Sequence, residues 1–374
     1  MAATRRDGAA AWHRRGVTGV AAAALFGLAV VALQAATLPE DSAELMFHSY
    51  DGGGVEVTGP AMELTKSFAR DFSANVSYYV DSISAASIDV VTSASPYAER
   101  REEIGTGLKW LKGDSLMSVG YVSSDENDYE SDTYTAAISQ VFFGGLSTLS
   151  MGYGHGDDVV MRVDTDFRDR VDRDRFRLGL SQVLTPRLIA TLDYEAVLEA
   201  GYLANPYRSA RILGAQVPER YPRARNSHAA AIRAVRWMGE GASLRAGYRW
   251  YRDTWQLTSH TLELAGARHV SPGLVAELSY RFYTQDAASF YADDFDREYD
   301  YMARDKELST FDSHAFGGRL TWDLSGRIGM LSRGSLSVGY DYLRFDYNDF
   351  TDIRNGELYA FDSHVFQVWF SGWW

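Results

Sequence analysis

Seven short segments of the chain share one alternating pattern that ends in tyrosine. In each, two apolar residues and the Tyr are separated by single polar or small residues. Because successive side chains of a β-strand point to opposite faces, each segment would place its apolar residues and its Tyr on one face. The tyrosines would then stand at one depth. The segments are Ala74–Tyr78, Met117–Tyr121, Leu149–Tyr153, Ala190–Tyr194, Leu244–Tyr248, Ala276–Tyr280 and Leu336–Tyr340.

This repeat is typical of a transmembrane β-barrel with an aromatic girdle. It predicts an all-β fold, an antiparallel up-and-down barrel. Short turns alternate along the chain with long polar links, as expected for a barrel with turns on one side of the membrane and loops on the other. Counting partner strands, a final strand and Glu44–Tyr50 as the first strand predicts about 16 strands, with 14 as the alternative. The long links are expected near 84–100, 124–132, 156–171, 200–226, 286–312 and 346–358.

Residues 1–36 are predicted to be a signal peptide, which leaves residues 37–374 for the barrel. A basic segment precedes the apolar run Val17–Leu33, and Gln34-Ala35-Ala36 offers small residues for cleavage. A single transmembrane anchor is the alternative interpretation. Together with the barrel pattern, export predicts location in the outer membrane of a Gram-negative bacterium.

The composition excludes some kinds of site and disfavours some partners. The chain has no Cys, which removes disulfides, thiolate metal sites and thiol-linked haem. Its formal net charge of −13 disfavours a nucleic-acid partner. No cofactor and no metal are predicted.

The C-terminal segment Val365–Trp374 alternates and ends in an aromatic residue, which resembles the assembly signal read by the barrel-insertion machinery. An ordinary edge strand is the alternative. The residues of this signal are Phe366, Val368, Phe370 and Trp374.

If the apolar faces look outward, the lumen is charged. A barrel of this strand number can leave an aqueous channel. We therefore expect a porin-like protein that passes or binds a small polar or charged solute; charges that pair across the wall would instead seal the lumen. The basic wall would be Arg177, Arg233, Arg245, Arg249, Arg281 and Arg319. The acidic wall would be Asp193, Glu195, Glu277 and Asp323.

Acidic clusters occupy the predicted long links, for example Asp125, Glu126 and Asp128. Hard cations prefer such oxygen ligands, and divalent ions that bridge lipopolysaccharide are plausible partners beside membrane lipid. No cluster has EF-hand spacing, so a solvated loop surface is the favoured interpretation. Catalytic patterns are weak and an enzyme is not expected. The third hypothesis is a hydrolase at the barrel rim that uses the FDSH runs ending in His314 and His364.

Five runs resemble the outer-membrane β-barrel family catalogued as domain of unknown function 3570. They are Asp81–Ser87, Ala94–Tyr97, Gly201–Arg208, Tyr280–Gln285 and Ala303–Phe311, with one departure at Ala85, where the family often has Gly. The resemblance implies an outer-membrane barrel and brings no catalytic residues. It also implies gene neighbours that are thioredoxin-like or flavin-transferring proteins. This supports the second hypothesis, a sealed barrel that serves as envelope anchor or scaffold for a periplasmic redox system.

The matching loop runs suggest two structural roles. Specific polar side chains in a long loop are expected in a folded-in constriction or partner surface. Packing of one loop on another at the barrel mouth is the alternative.

Overall fold

The computed structural model describes residues 36–85, 97–163, 165–324 and 329–374. Sixteen strands form a closed barrel in which each strand runs antiparallel to both neighbours, and the last strand closes on the first. The prediction of 16 strands, including the first near Glu44–Tyr50, is confirmed. The barrel strands are β1 Ser42–Gly52, β2 Val55–Phe68, β3 Phe72–Ala85, β4 Tyr97–Lys112, β5 Ser115–Asp125, β6 Tyr129–Phe142, β7 Ser147–Met161, β8 Arg168–Thr185, β9 Leu188–Gly201, β12 Ala224–Gly239, β13 Ala242–Asp253, β14 Thr258–Ser271, β15 Leu274–Gln285, β16 Phe311–Leu324, β17 Arg333–Asp352 and β18 Glu357–Trp373.

Little other regular structure is present in these residues. A separate two-stranded sheet consists of β10 Ser209–Ile212 and β11 Ala215–Pro218. Single 3-10 turns occupy Phe143–Gly145 and Lys306–Leu308. Within the described ranges, no helix has the length and apolar character needed to cross a membrane.

Strand alternation separates an apolar outer face from a polar inner face. In β8, Phe176, Leu178 and Leu180 are exposed, although they are large and apolar. The alternate residues Arg175 and Arg177 point to the opposite face, where they contact Glu195 of β9. Because the sheet closes on itself, the exposed apolar side is the outside of the barrel and the charged side is the lumen.

The seven repeat tyrosines lie in seven strands that run in the same direction, β3, β5, β7, β9, β13, β15 and β17. They share the outer face with exposed aliphatic residues such as Val76, Leu192 and Leu244. The C-terminal residues also belong to the wall, since β18 pairs with both β17 and β1 and is not an edge strand. Recognition of that strand by the insertion machinery stays a prediction.

Several strands are longer than the sequence pattern predicts. Residues 124–132 and 156–171 were expected to be long links, yet only 126–128 and 162–167 connect the strands there. Polar cross-strand contacts continue the ladder past the tyrosines. The Tyr129 hydroxyl donates to Asp158 at 2.6 Å, and Arg173 contacts both Asp158 and Glu199. Link length cannot be inferred from polarity alone, because paired polar residues extend a strand as well as apolar ones do.

The two longest links, 202–223 and 286–310, fold together at one end of the barrel. We call them the cap, and we call that end the loop end. Their backbones exchange hydrogen bonds, with Phe295 N donating to Arg211 O and Met302 N to Arg220 O, both at 2.8 Å. One buried cluster joins Trp255 and Leu257 to Phe290, Ala303 and Leu308. The structure therefore shows the loop-on-loop packing that the sequence left as an alternative.

The signal-peptide prediction and much of two family-like runs fall outside the description. Residues 1–35 and 86–96 are not described, so the signal peptide in 1–36 stays a prediction. The run Ala94–Tyr97 lies mostly in the second gap, as do the last two residues of Asp81–Ser87.

Candidate functional site

The lumen charges pair with one another, either between neighbouring strands or across one intervening strand. Arg177 of β8 contacts Glu195 of β9 at 2.8 Å, and Arg245 of β13 contacts Glu277 of β15 at 3.2 Å. Arg233 pairs with Asp193. Arg281 is 3.7 Å from Glu263. Basic and acidic residues are thus interleaved, and the expected separate basic and acidic walls do not form.

Three members of the predicted charge set make no ion pair within the described residues. Arg249 lies 5.5 Å from the ring centroid of Tyr251, and Arg319 lies 4.6 Å from that of Trp369. Both are cation–π distances. Asp323 is exposed beside the turn that begins β15, where its backbone N–H donates to Gly273 O at 2.7 Å. These positions lie apart from the cavity described next.

A cavity of about 360 Å³ lies against the wall formed by β6, β7 and β8. On β7, three alternate positions of its floor carry no side chain, Gly152, Gly154 and Gly156, and Asp158 follows them at the edge of the cavity. Arg173, Arg175 and Arg177 of β8 line the adjacent side. Three glycines next to three arginines create space directly beside the guanidinium groups. We call this space the arginine cavity.

The arginines of this cavity differ in how fully they are paired. Arg173 contacts two carboxylates, Asp158 and Glu199, and also donates to the Tyr129 hydroxyl. Arg175 and Arg177 share a single carboxylate, Glu195, at 3.7 and 2.8 Å. Their side chains are 51% and 61% exposed, so the guanidinium groups keep free donors. Arg175 and Arg177 can therefore bind a further anion without breaking their contacts with Glu195.

On the outer face, most girdle tyrosines hydrogen-bond to the next strand, a feature that sequence analysis missed. The His or Asp partner always lies two residues before the residue that pairs with the Tyr in the ladder. Four contacts join Tyr to His Nδ1 at 2.7–2.9 Å: Tyr194–His228, Tyr248–His260, Tyr280–His314 and Tyr340–His364. Two join Tyr to Asp at 2.6 Å: Tyr121–Asp132 and Tyr153–Asp174. We call these contacts tyrosine clasps.

Removing a tyrosine clasp should lower the free energy of unfolding by a small amount. We expect Tyr248→Phe and Tyr340→Phe each to lower the free energy of unfolding by about 1 kcal/mol, because each loses one hydrogen bond and little packing. Since the two sites are far apart along the wall, the double variant should lose their sum. Urea unfolding of the barrel in lipid vesicles measures this. Tyr78→Phe is the control, because no clasp joins Tyr78 to a described residue; an equal loss there would contradict the account.

The clasps also explain the two FDSH runs. His314 and His364 face outward and bind Tyr280 and Tyr340. Ser313 and Ser363, one residue earlier, face the lumen and are buried. A serine nucleophile must touch its histidine base. No Ser–His pair therefore forms within either run, and the rim hydrolase stays a hypothesis.

Three of the family-like runs meet in the cap. Arg208 at the end of Gly201–Arg208 forms an ion pair with Asp305 and lies 3.5 Å from Glu307, both in Ala303–Phe311. Gln285, the last residue of Tyr280–Gln285, donates through Nε2 to the backbone oxygens of Glu307 and Ser309, at 2.9 and 2.7 Å. Contacts between loops thus explain the residue types at these positions of the three runs.

Comparison with known proteins supports the architecture. A family model described as protein of unknown function (DUF3570) matches residues 162–358, more than half of the chain. The comparison with curated proteins gives no match.

Solved structures are similar in fold at low sequence identity. A bacterial polysaccharide outer membrane secretin has a TM-score of 0.51 and 6% identity, covering 90% of this chain and 100% of its own. The outer membrane protein OpdK from Pseudomonas aeruginosa has a TM-score of 0.45 and 10% identity, covering 90% and 98%. The siderophore receptor PirA from Pseudomonas aeruginosa has a TM-score of 0.43 and 11% identity; the match covers 87% of this chain and 61% of the receptor. The secretin likeness shows the barrel fold alone.

Proposed function

The chain belongs to the family described as protein of unknown function (DUF3570), and from that premise we propose an outer-membrane barrel that binds or passes a small anionic solute. The observation that carries the proposal is the arginine cavity. There, two half-exposed guanidinium groups share one carboxylate next to a glycine floor.

The chemistry of the cavity favours an anion over a cation or a neutral solute. Guanidinium groups present several donors in a fixed plane and bind carboxylate or phosphate oxygens through paired hydrogen bonds. Arg175 and Arg177 are alternate residues of one strand, so their donors reach the same space. The glycines opposite leave room for a solute of a few heavy atoms. A carboxylate or phosphate group is the ligand that this arrangement fits.

The outer surface supports placement in the outer membrane. Exposed apolar residues alternate with lumen residues along every part of the wall, and the clasped tyrosines stand toward the loop end. Such a band is what lipid requires of a spanning barrel. In this placement the cap is extracellular, the short turns are periplasmic, and membrane lipid and lipopolysaccharide surround the tyrosines.

Reversing the charge of the arginine cavity should reverse its ion preference. We expect the wild-type barrel to favour anions in a planar bilayer, and Arg175→Glu with Arg177→Glu to lower the anion-to-cation permeability ratio roughly tenfold, equivalent to about 1.4 kcal/mol. Single-channel conductance with a salt gradient measures the ratio. Arg168→Glu with Arg170→Glu is the matched control, since it makes the same double charge reversal on β8 but on the outer face.

A folded barrel without conductance calls for a second readout. Calorimetric titration with phosphate or a small dicarboxylate then separates a binding protein from a sealed one. If neither conductance nor anion binding is found, the proposal is wrong. The paired lumen charges and the packed cap then favour the sealed scaffold, with periplasmic thioredoxin-like or flavin-transferring proteins as the partners to capture.

A further inference from the structure

Three carboxylates converge at the loop end, apart from the arginine cavity. Oxygens of Glu99, Glu126 and Asp128 all lie within 4.8 Å of one another. Glu99 is on β4, five residues beyond Ile104, which pairs with girdle residue Tyr78. Glu126 and Asp128 belong to the turn between β5 and β6. The group therefore stands outside the membrane-spanning part of the barrel. We call it the carboxylate cluster.

The cluster is buried, and three of its carboxylate oxygens lack a hydrogen-bond partner of normal geometry. Asp128 is fully buried, and neither of its carboxylate oxygens has a hydrogen-bond partner of normal geometry, although the Tyr207 hydroxyl and Glu99 lie close to it. Glu99 is also buried; its Oε1 accepts from Asn127 N at 3.2 Å, whereas its Oε2 accepts nothing. The expectation of a solvated acidic loop is wrong for these residues. Burying a charged carboxylate without a partner is strongly unfavourable, so this arrangement needs either a counter-charge or a proton.

Nearby protein cations do not supply that charge. Among the described residues, Arg101 is the arginine that contacts the cluster, at 3.6 Å from Glu126. It is closer to Glu103, at 2.8 Å, and donates to Ser124. The neighbouring His48 is bound to another carboxylate, Asp81, at 2.7 Å. Five carboxylates thus face one guanidinium and one imidazole.

We propose that Glu99, Glu126 and Asp128 bind a divalent cation, for which Ca²⁺ is the best fit. Hard cations take several carboxylate oxygens at once, and Ca²⁺ tolerates irregular ligand sets that Mg²⁺ does not. Extracellular sites of this kind bind with dissociation constants of about 10⁻⁴–10⁻³ M. In keeping with this geometry, burial and mutual repulsion raise the pKa of Glu99 to about 8 and that of Glu126 to about 7. A bound cation would remove that repulsion.

Occupancy of the site would also hold the cap in place. The hydroxyl of Tyr207, a cap residue, lies beside Asp128 and accepts from Val163 N at 2.9 Å. Arg162 lies over the Tyr207 ring at 5.4 Å. Ordering Asp128 with a cation would therefore fix one wall of the pocket that receives Tyr207. The site would couple external Ca²⁺ to the stability of the loop end.

Metal titration of the refolded full-length barrel tests the proposal. We expect saturable Tb³⁺ luminescence, competed by Ca²⁺, and a melting temperature that rises with millimolar Ca²⁺ and falls again with EDTA, as required for a ligand of the folded state. Glu99→Gln with Asp128→Asn should weaken Tb³⁺ binding at least tenfold. The control is Asp157→Asn with Asp172→Asn, which removes two exposed, directly opposed carboxylates of β7 and β8.

Two outcomes would overturn the site. One is wild-type protein without saturable Tb³⁺ binding, which needs no variant and would mean that the cluster holds protons instead. The other is a control pair that weakens binding as much as the cluster pair, which would mean adsorption to surface carboxylates. If the double variant does not fold, Glu126→Gln alone replaces it. None of these readouts depends on anion passage through the lumen.

Discussion

Replacing Arg208 by Ala should open the cap while the barrel below stays folded. Arg208 and Asp305 are 9% and 10% exposed, so their ion pair is shielded from water. Removing one partner of a buried pair leaves an uncompensated charge and costs about 3–5 kcal/mol. Asp305 would retain its bonds from Glu307 N and the Tyr221 hydroxyl, which do not neutralise it. The loss should fall on the cap, because the strand ladder does not include these residues.

Hydrogen exchange at the cap backbone measures this loss. Met302 N donates to Arg220 O at 2.8 Å, and Arg304 N to Glu219 at 2.7 Å, so both amides exchange only when the cap opens. We expect their protection to fall by about two to four orders of magnitude, the equivalent of that free energy, and protection in β13 and β14 to stay unchanged.

An exposed ion pair of the same loops provides the control. Arg220 contacts Glu298 at 2.8 Å, with side chains 43% and 71% exposed. Such pairs are worth about 0–1 kcal/mol, so Arg220→Ala should change protection about fivefold or less. Equal losses in the two variants would show that burial of the Arg208 pair does not decide cap stability.

The sequence was sufficient for the barrel because strand alternation is a local property. In segments such as Leu336–Tyr340, the residue types alone predict which side chains face outward, since the period of two follows from backbone geometry. The same rule puts Arg177 and Glu195 on the inner face. Which of them touch depends on the register between strands, and register is set by the whole closed sheet. The pairing Arg177–Glu195 could therefore not be distinguished beforehand from opposed walls.

Contacts between segments that are distant in the sequence could not be predicted from a local pattern. The acidic run that contains Asp128 has the composition of a solvated loop, yet Asp128 is fully buried. Tyr207, which lies beside Asp128, is 79 residues later in the chain and is placed there by the folding of the cap. The tyrosine clasps, however, could have been predicted from the sequence. His or Asp at a fixed offset before the ladder partner of each Tyr is a sequence signal, once hairpin registers are assumed.

Gly201→Ala is the second substitution for which we expect a large effect. Gly201 ends β9 and opens the run that closes at Arg208. Its φ is +130°, which disfavours residues with a Cβ. A Cβ there would also lie 2.0 Å from Arg170 O and 2.8 Å from Val171 Cα. Backbone strain and overpacking each cost about 1–3 kcal/mol, so we expect a loss of roughly 2–6 kcal/mol.

The clash is with the backbone of β8, and a rotamer change cannot relieve it. The chain must move where Gly201 N donates to Arg223 O and Tyr202 N to Arg170 O, both at 2.9 Å. Both ends of the first cap loop are held by these two bonds, so the variant should lose exchange protection at Tyr202 as well as overall stability in urea. Gly266→Ala, where an added Cβ meets no atom within 4 Å, should leave both unchanged. If Gly201→Ala behaves like Gly266→Ala, the cap does not depend on the close approach of β8 and β9, and its other contacts, including the Arg208–Asp305 pair, hold it in place.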